Sequence, residues 1–172
     1  MSKKKNKSLL GKVLYALAIV AGIAAICMMF VTSLRIEGNL SFLRSTSEFT
    51  GAQTTFGYAT ENATYFQFSF MNLLPYVLVL VAVVLTALKL FGVLKSNLFD
   101  FLSLAMFVVA GVFFFLTVNF AVMSEGLSNA INVANRLTTV VTTHLGVGAI
   151  VAGVLSLVSA FMLLIKAFVA KK

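Results

Sequence analysis

The sequence is short of charge and cysteine and has no tryptophan. Only 10% of its 172 residues are charged and 60% are hydrophobic, whereas a soluble domain has about 25% charged residues. A water-soluble fold of this length cannot bury so much apolar surface, so the composition predicts one small domain in a lipid bilayer. Cys27 is the only cysteine, which excludes an intrachain disulfide and a cysteine-based metal cluster.

The apolar runs contain no ionisable residues. Asp, Glu, Lys, Arg and His are absent from residues 13–32, 76–87, 101–123 and 145–165. Ion-coupled carriers and intramembrane hydrolases use such residues within their spans, and no nucleophile, base and orienting group occur together here. The only histidine, His144, lacks the partners that zinc or general-base chemistry needs. We therefore expect no enzymatic activity, no metal and no cofactor.

Four apolar runs are each long enough for a helix that crosses a bilayer. Helices are expected because barrel strands are shorter and alternate in polarity, and because a helix satisfies its own backbone polar groups in lipid. The predicted order is a basic N-terminus (1–12), span one (13–32), outer loop one (33–72), span two (73–94), a turn (95–100), span three (101–123), outer loop two (124–144), span four (145–168) and a tail (169–172).

The basic residues predict the orientation of the spans. Of the thirteen, ten lysines fall on the side of the two termini, and Arg35, Arg44 and Arg136 fall on the other side. The positive-inside rule therefore places both termini in the cytoplasm, and the lysines are expected to contact anionic lipid rather than nucleic acid. Lys89 is expected to extend toward the headgroups. The lysine-rich, cysteine-poor composition favours a bacterial cytoplasmic membrane.

The first outer loop contains the stretch FGYATENATYFQFSF, residues 56–70. Its aromatic residues alternate with other residues, which is typical of a strand with one covered face. Glu61 and Asn62 lie between two such runs, so we predict a β-hairpin. A two-residue turn pairs Tyr58 with Tyr65, and a three-residue turn puts Phe56 and Tyr58 on the face of Phe66 and Phe68; both registers stay open. The predicted interaction residues are Phe56, Tyr58, Tyr65, Phe66, Phe68 and Phe70.

Two further segments add to the predicted outer region. Residues 35–43, RIEGNLSFL, are a candidate third strand. In the second outer loop, apolar residues recur at helical spacing after Ser124, which predicts an amphipathic helix capped by that serine. This helix either lies at the outer interface or extends span four, and its end, LTTVVTT, is alternatively a short strand.

Asn119 is the most polar side chain within the predicted spans. It is expected to hydrogen-bond to a neighbouring helix or, together with Thr117, to line a pore in an oligomer.

Four spans with cytoplasmic termini, a long strand-bearing first outer loop and a shorter second one resemble the general plan of claudins and related tetraspan proteins. Claudins have a tryptophan and cysteine signature in the first outer loop, whereas this chain has no tryptophan and its cysteine lies in span one. The resemblance is therefore one of architecture. We expect a non-enzymatic structural, interaction or accessory subunit that binds a protein partner, or another copy, through its outer loops. The alternative is an oligomeric channel or transporter subunit.

Overall fold

The computed structural model describes residues 2–40, 43–136 and 140–170. Within these ranges the chain is mostly helical, and four helices are long and apolar enough to cross a membrane: Leu9–Phe30, Phe70–Leu90, Leu98–Phe115 and Val147–Phe168. The prediction of four membrane-length apolar helices together with a small sheet is thus confirmed. In chain order the elements are α1 (Ser2–Cys27), a 3₁₀ turn (Met28–Phe30), β1 (Thr32–Leu40), β2 (Leu43–Thr50), α2 (Gly51–Phe56), β3 (Tyr58–Ala59), β4 (Thr64–Phe66), α3 (Phe70–Leu90), α4 (Leu98–Phe115), α5 (Thr117–Phe120), α6 (Glu125–Arg136), β5 (Val140–Leu145) and α7 (Val147–Ala170).

The chain forms two compact units. The helical unit comprises Met1–Cys27, Pro75–Val112 and Ala152–Lys172, and the sheet unit comprises Met28–Leu74 and Phe113–Val151. The sheet unit therefore contains most of both predicted outer loops, together with the helix ends that flank them.

Small residues and serines hold the helices of the helical unit together. A Cβ atom on Gly22 of α1 would lie 2.5 Å from the Val83 side chain of α3, so this glycine lets the two helices approach closely. The Ser159 hydroxyl of α7 donates to the Ala18 carbonyl of α1 at 3.0 Å, and the Ser156 hydroxyl donates to the Phe107 carbonyl of α4 at 2.8 Å. Such bonds between helices replace the hydrophobic driving force that lipid does not supply.

The sheet unit is built around a three-stranded antiparallel sheet with the order β2-β1-β5. The central strand β1 pairs Ile36 with Ser47 of β2 and with Thr143 of β5. Two alternate residues of β1, Leu34 and Ile36, lie on the covered face and pack with Phe49 and Phe66. Because β5 follows α6, this sheet joins residues from both predicted outer loops, whereas the sequence placed the small sheet in the first loop and gave a strand in the second loop only as an alternative.

A hairpin is present where the aromatic stretch predicted one, and its pairing combines the two predicted registers. Ala59 of β3 lies opposite Thr64 of β4, as in the register of a two-residue turn, and the Thr60 amide closes this turn by donating to the Ala63 carbonyl at 2.8 Å. Tyr58 lies opposite Phe66, as in the register of a three-residue turn. A bulge between the two pairs shifts the register by one residue, so Tyr58 is opposite Phe66 and not Tyr65.

Phe56 was predicted to lie in a strand, and instead it ends the helix α2. The Thr50 hydroxyl accepts a hydrogen bond from the Gln53 amide, and the Gln53 side chain accepts one from the Thr50 amide. This capping box satisfies two amides that a helix start leaves open, so it favours a helix over continued extension of β2.

The other predicted segments of the outer region form regular structure with different partners. Of the predicted third strand, residues 35–40 belong to β1 and Leu43 begins β2, which form a sheet separate from the hairpin; residues 41 and 42 lie outside the described residues. The Leu127 amide donates to the Ser124 hydroxyl at 3.2 Å, which confirms Ser124 as the cap of α6. Part of LTTVVTT forms β5, so α6 does not extend α7; residues 137–139 lie outside the described residues.

The helix ends differ from the predicted span ends, and α3 and α4 show why. Helix α3 begins at Phe70 because the Ser69 hydroxyl accepts a hydrogen bond from the Asn72 amide at 3.3 Å and caps the helix. Pro75 therefore lies inside α3 rather than at its start. Helix α4 ends at Phe115 rather than near Met123, and the four-residue helix α5 follows it.

The start of α7 depends on a close backbone approach, which a substitution can test. A Cβ atom on Gly146 would contact the Thr32 carbonyl oxygen and come within 2.7 Å of the Ser33 carbonyl carbon. Backbone atoms cannot move aside as a flexible side chain can, so we expect Gly146→Ala to lower the free energy of unfolding by about 2–3 kcal/mol.

Gly126 in the first turn of α6 is the matched control, because the nearest atom to its added Cβ would be 3.9 Å away. Gly126→Ala should leave stability unchanged or raise it by up to about 1 kcal/mol through helix propensity. Thermal unfolding of both variants in mild detergent measures the difference. Equal melting temperatures for the two variants would show that Gly146 is not needed for close approach.

Candidate functional site

Four aromatic rings from three elements meet in the sheet unit. The ring centroid of Phe49 lies 4.8 Å from that of Phe66, 6.1 Å from that of Tyr58 and 5.9 Å from that of Tyr65. The rings of Tyr58 and Tyr65 stack at 5.6 Å. Of the predicted interaction residues, Phe66 is therefore a core residue, and Tyr58 and Tyr65 pack against the core. Phe49 was not among the predicted residues, although it alternates with the exposed Glu48 in β2 as a covered residue should.

The expectation that Phe66, Phe68 and Phe70 share one covered face is wrong. Phe66 is 1% exposed, whereas Phe68 is 54% exposed and Phe70 is also exposed. The alternation ends because β4 ends at Phe66 and the Ser69 cap starts α3 at Phe70. The strand β4 is therefore too short for all three rings to lie on its covered face.

Phe56 and Phe68 are two exposed rings on adjacent segments of the sheet unit. Phe56 is 57% exposed. The Ser69 amide donates to the Thr55 carbonyl at 2.8 Å, so a backbone hydrogen bond joins the residue before Phe56 to the residue after Phe68. Gly57 has a φ of +96°, a conformation that residues with a Cβ rarely adopt, and its position against the Phe66 carbonyl leaves little space for a side chain. We call Phe56 and Phe68 the exposed phenylalanine pair.

Phe70 differs from this pair because it is the first residue of the membrane-length helix α3. An apolar side chain on a helix of membrane length can contact lipid. The exposure of Phe70 therefore does not distinguish a lipid contact from a protein contact.

The two polar residues considered for a pore lie at the end of the third predicted span. The Thr117 hydroxyl is buried and donates to the Phe114 carbonyl at 2.8 Å, as expected for a threonine that bonds to its own helical segment. Asn119 is exposed on the short helix α5. His144 lies in β5, where its ring nitrogen is 2.9 Å from the Thr142 hydroxyl.

A second cluster, in the helical unit, was not predicted as a site. The Asp100 carboxylate, at the start of α4, accepts a hydrogen bond from the Tyr15 hydroxyl of α1 at 2.6 Å. Its other oxygen accepts one from the Lys166 ammonium of α7 at 2.6 Å. The same ammonium lies 4.7 Å from the centre of the Tyr15 ring, within range of a cation–π interaction.

Lys89 of α3 completes this cluster. Its ammonium lies 3.5 Å from the Asp100 carboxylate and donates to the Ser96 carbonyl at 3.0 Å in the turn between α3 and α4. The sequence predicted a side chain that extends outward from the helix, whereas this side chain is 7% exposed and turns into the cluster. A buried ammonium loses its hydration and takes the carbonyl and carboxylate oxygens as replacements. We call Tyr15, Lys89, Asp100 and Lys166 the ion cluster.

The cluster was not predicted because its charged members lie just beyond the ends of the apolar runs, in which no ionisable residue occurs. Lys89 and Lys166 precede the ends of α3 and α7, and Asp100 follows the start of α4. In a bundle whose helices alternate in direction these positions share one end. The alternating direction of the four predicted spans could have shown that these three residues share one end of the bundle. Spacing along the chain does not show which of their side chains turn inward.

Asp100 is the one acidic residue in the sequence of the helical unit, and we expect its charge to stabilise the fold. Asp100→Asn leaves two buried ammonium groups without a counter-charge, so we expect the free energy of unfolding to fall by about 3 kcal/mol. Glu61→Gln is the control, since it also removes one acidic charge but from the exposed hairpin loop, and it should leave stability unchanged. Thermal unfolding in mild detergent compares the two; equal stabilities would rule out Asp100 as a stabilising charge.

No protein-family model matches the chain, and no curated protein matches it.

Proposed function

We propose that the protein is a non-enzymatic integral membrane protein, a structural or accessory subunit that binds a protein partner, or a second copy of itself, through its sheet unit. The observation that carries this proposal is the exposed phenylalanine pair on a unit with its own buried core. Exposed aromatic rings on a rigid support are frequent anchors of protein interfaces, because little conformational entropy is lost when they bind.

The core of the sheet unit supports the proposal because it fixes the segments that hold the pair. Phe49 and Phe66 pack edge to face, and the Asn72 side chain donates to the carbonyl of Thr54, two residues before Phe56, at 3.3 Å. Ser69, next to Phe68, donates its hydroxyl to the Phe120 carbonyl at 2.6 Å. A binding surface held in this way needs less ordering when a partner docks.

In the same proposal the termini are cytoplasmic and the sheet unit is on the outer side of a bacterial cytoplasmic membrane. The supporting observation is the distribution of charge: ten of the thirteen basic residues belong to the helical unit. An excess of lysine beside spans is retained on the cytoplasmic side. The plan, with strands from both outer loops, is claudin-like in architecture only.

Site-specific photocrosslinking tests the proposed surface in native membranes. We expect a photoreactive benzoyl-phenylalanine in place of Phe68 to give a discrete protein adduct, because this ring is exposed beside Phe56. The mass of the adduct distinguishes a second copy, which adds 18.5 kDa, from another protein. When Phe56→Ser is added to this variant, the yield of the protein adduct should fall about tenfold, as expected when an aromatic anchor of an interface is removed.

The control places the same photoreactive residue at Phe91, an exposed phenylalanine of the helical unit. This variant should give no discrete protein adduct. Equal adducts from Phe68 and Phe91, or a strictly monomeric protein with no adduct from Phe68, would contradict the proposed surface. Melting temperatures of all variants confirm that each one is folded.

A channel or transporter subunit is the second function class, and a flux measurement separates it from the first. Purified protein in liposomes should conduct no ions or small solutes beyond protein-free liposomes, since Thr117 bonds to its own segment. Flux that disappears in Asn119→Leu, with Thr60→Ser in the exposed hairpin loop as a control, would favour the channel instead.

A further inference from the structure

Charge is distributed unequally between the two units. The helical unit contains ten lysines and one acidic residue, Asp100, whereas the sheet unit contains three arginines and four glutamates. Two lysines, Lys89 and Lys166, share that single carboxylate. The ion cluster therefore has a surplus of one positive charge in a place where water is largely excluded, and such a charge is stabilised by an anion.

The ion cluster lies at the ends of the membrane-length helices rather than at their middles. Lys89 is one residue from the end of the span Phe70–Leu90, Asp100 is near the start of the span Leu98–Phe115, and Lys166 is near the end of the span Val147–Phe168. The Tyr15 side chain reaches this level from within α1, since helical side chains tilt toward the N-terminus. This is the depth at which lipid phosphates lie.

Lys166 has donor hydrogens to spare, and Lys89 does not. The Lys89 ammonium faces the carbonyls of Lys95 and Ser96 and the Asp100 carboxylate, which account for its three donor hydrogens. Among the described residues, Lys166 donates one hydrogen bond, to Asp100, and stands over the Tyr15 ring. Its side chain is 13% exposed, so the ammonium is held in one place and still open to a ligand.

We propose that the ion cluster is a binding site for one phosphate group, that of an anionic membrane phospholipid, with Lys166 as the direct donor. Asp100 and the Tyr15 ring hold the ammonium in position, and Lys89 supplies the second positive charge. The inference is independent of the proposed protein partner, because it concerns the helical unit and no residue of the sheet unit.

Native mass spectrometry of the detergent-solubilised protein tests the site by counting bound lipids. The first comparison is phosphatidylglycerol against phosphatidylcholine, at about 0.5 M ammonium acetate, where the Debye length falls to a few ångströms and general surface attraction is screened. We expect one phosphatidylglycerol to bind at least about tenfold more tightly than phosphatidylcholine, because a charge-assisted hydrogen bond to the phosphate persists in salt.

Two matched variants separate the ion cluster from general positive charge. Lys166→Gln should weaken phosphatidylglycerol binding about tenfold by removal of the direct donor. Lys95→Gln removes the same charge from an exposed side chain in the turn between α3 and α4, and it should change the affinity by less than about twofold under this screening. Lys166→Arg retains a cation and should restore most of the binding.

Three results would overturn the proposal. Equal losses in Lys166→Gln and Lys95→Gln would show that only net charge attracts the lipid. Loss of binding in Lys166→Arg as large as in Lys166→Gln would show that lipid binding depends on the packing of the lysine side chain rather than on its charge. Displacement of the lipid by millimolar inorganic phosphate would identify free phosphate as the ligand, and it would remove the lipid as the source.

Discussion

The Asp100 carboxylate on α4 contacts side chains from the three other membrane-length helices, Tyr15 on α1, Lys89 on α3 and Lys166 on α7. Lipid gives helices no hydrophobic reason to associate, so packing and polar contacts must hold them. A carboxylate has two oxygens and about four lone-pair directions, enough for a hydroxyl and two ammonium groups. One short acidic residue can thus connect helices that are far apart in sequence.

The sheet unit is stabilised by a different means, since most of it consists of the two predicted outer loops and it has no disulfide available. Its stability rests on burial of Leu34, Phe49 and Phe66 in one core and on strand pairing between segments from both loops. The central strand β1 has a partner on each side, and its buried side chains alternate along the strand. This burial orders the chain on both sides of the exposed phenylalanine pair, so the proposed contact surface depends on residues that a partner does not touch.

The four membrane-length helices could be predicted from the sequence because length and apolarity alone determine them. The hairpin between Tyr58 and Phe66 was predictable in place, and each of its two residue pairs follows one of the two registers left open, since a bulge shifts the pairing between them. The capping box of Thr50 and Gln53 was readable as T-x-x-Q and would have placed Phe56 in a helix. Pairing of β1 with β5 was not readable, because it joins segments far apart in the chain, and neither was the convergence on Asp100. Both depend on the packing of whole elements.

The two units also differ in how salt and charge act on them. In the sheet unit, Arg35 of β1 pairs with Glu48 of β2 at 2.6 Å, and its three arginines nearly balance its four glutamates. The proposed contact of a nearly neutral surface with a partner would be apolar, and such contact depends little on ionic strength. The helical unit has nine more basic than acidic residues, ten against one, and such an excess attracts anions over a Debye length. The two proposed recognition events therefore rest on separate physical interactions: salt screens the long-range attraction of anions to the helical unit, and it does not weaken apolar contact at the sheet unit.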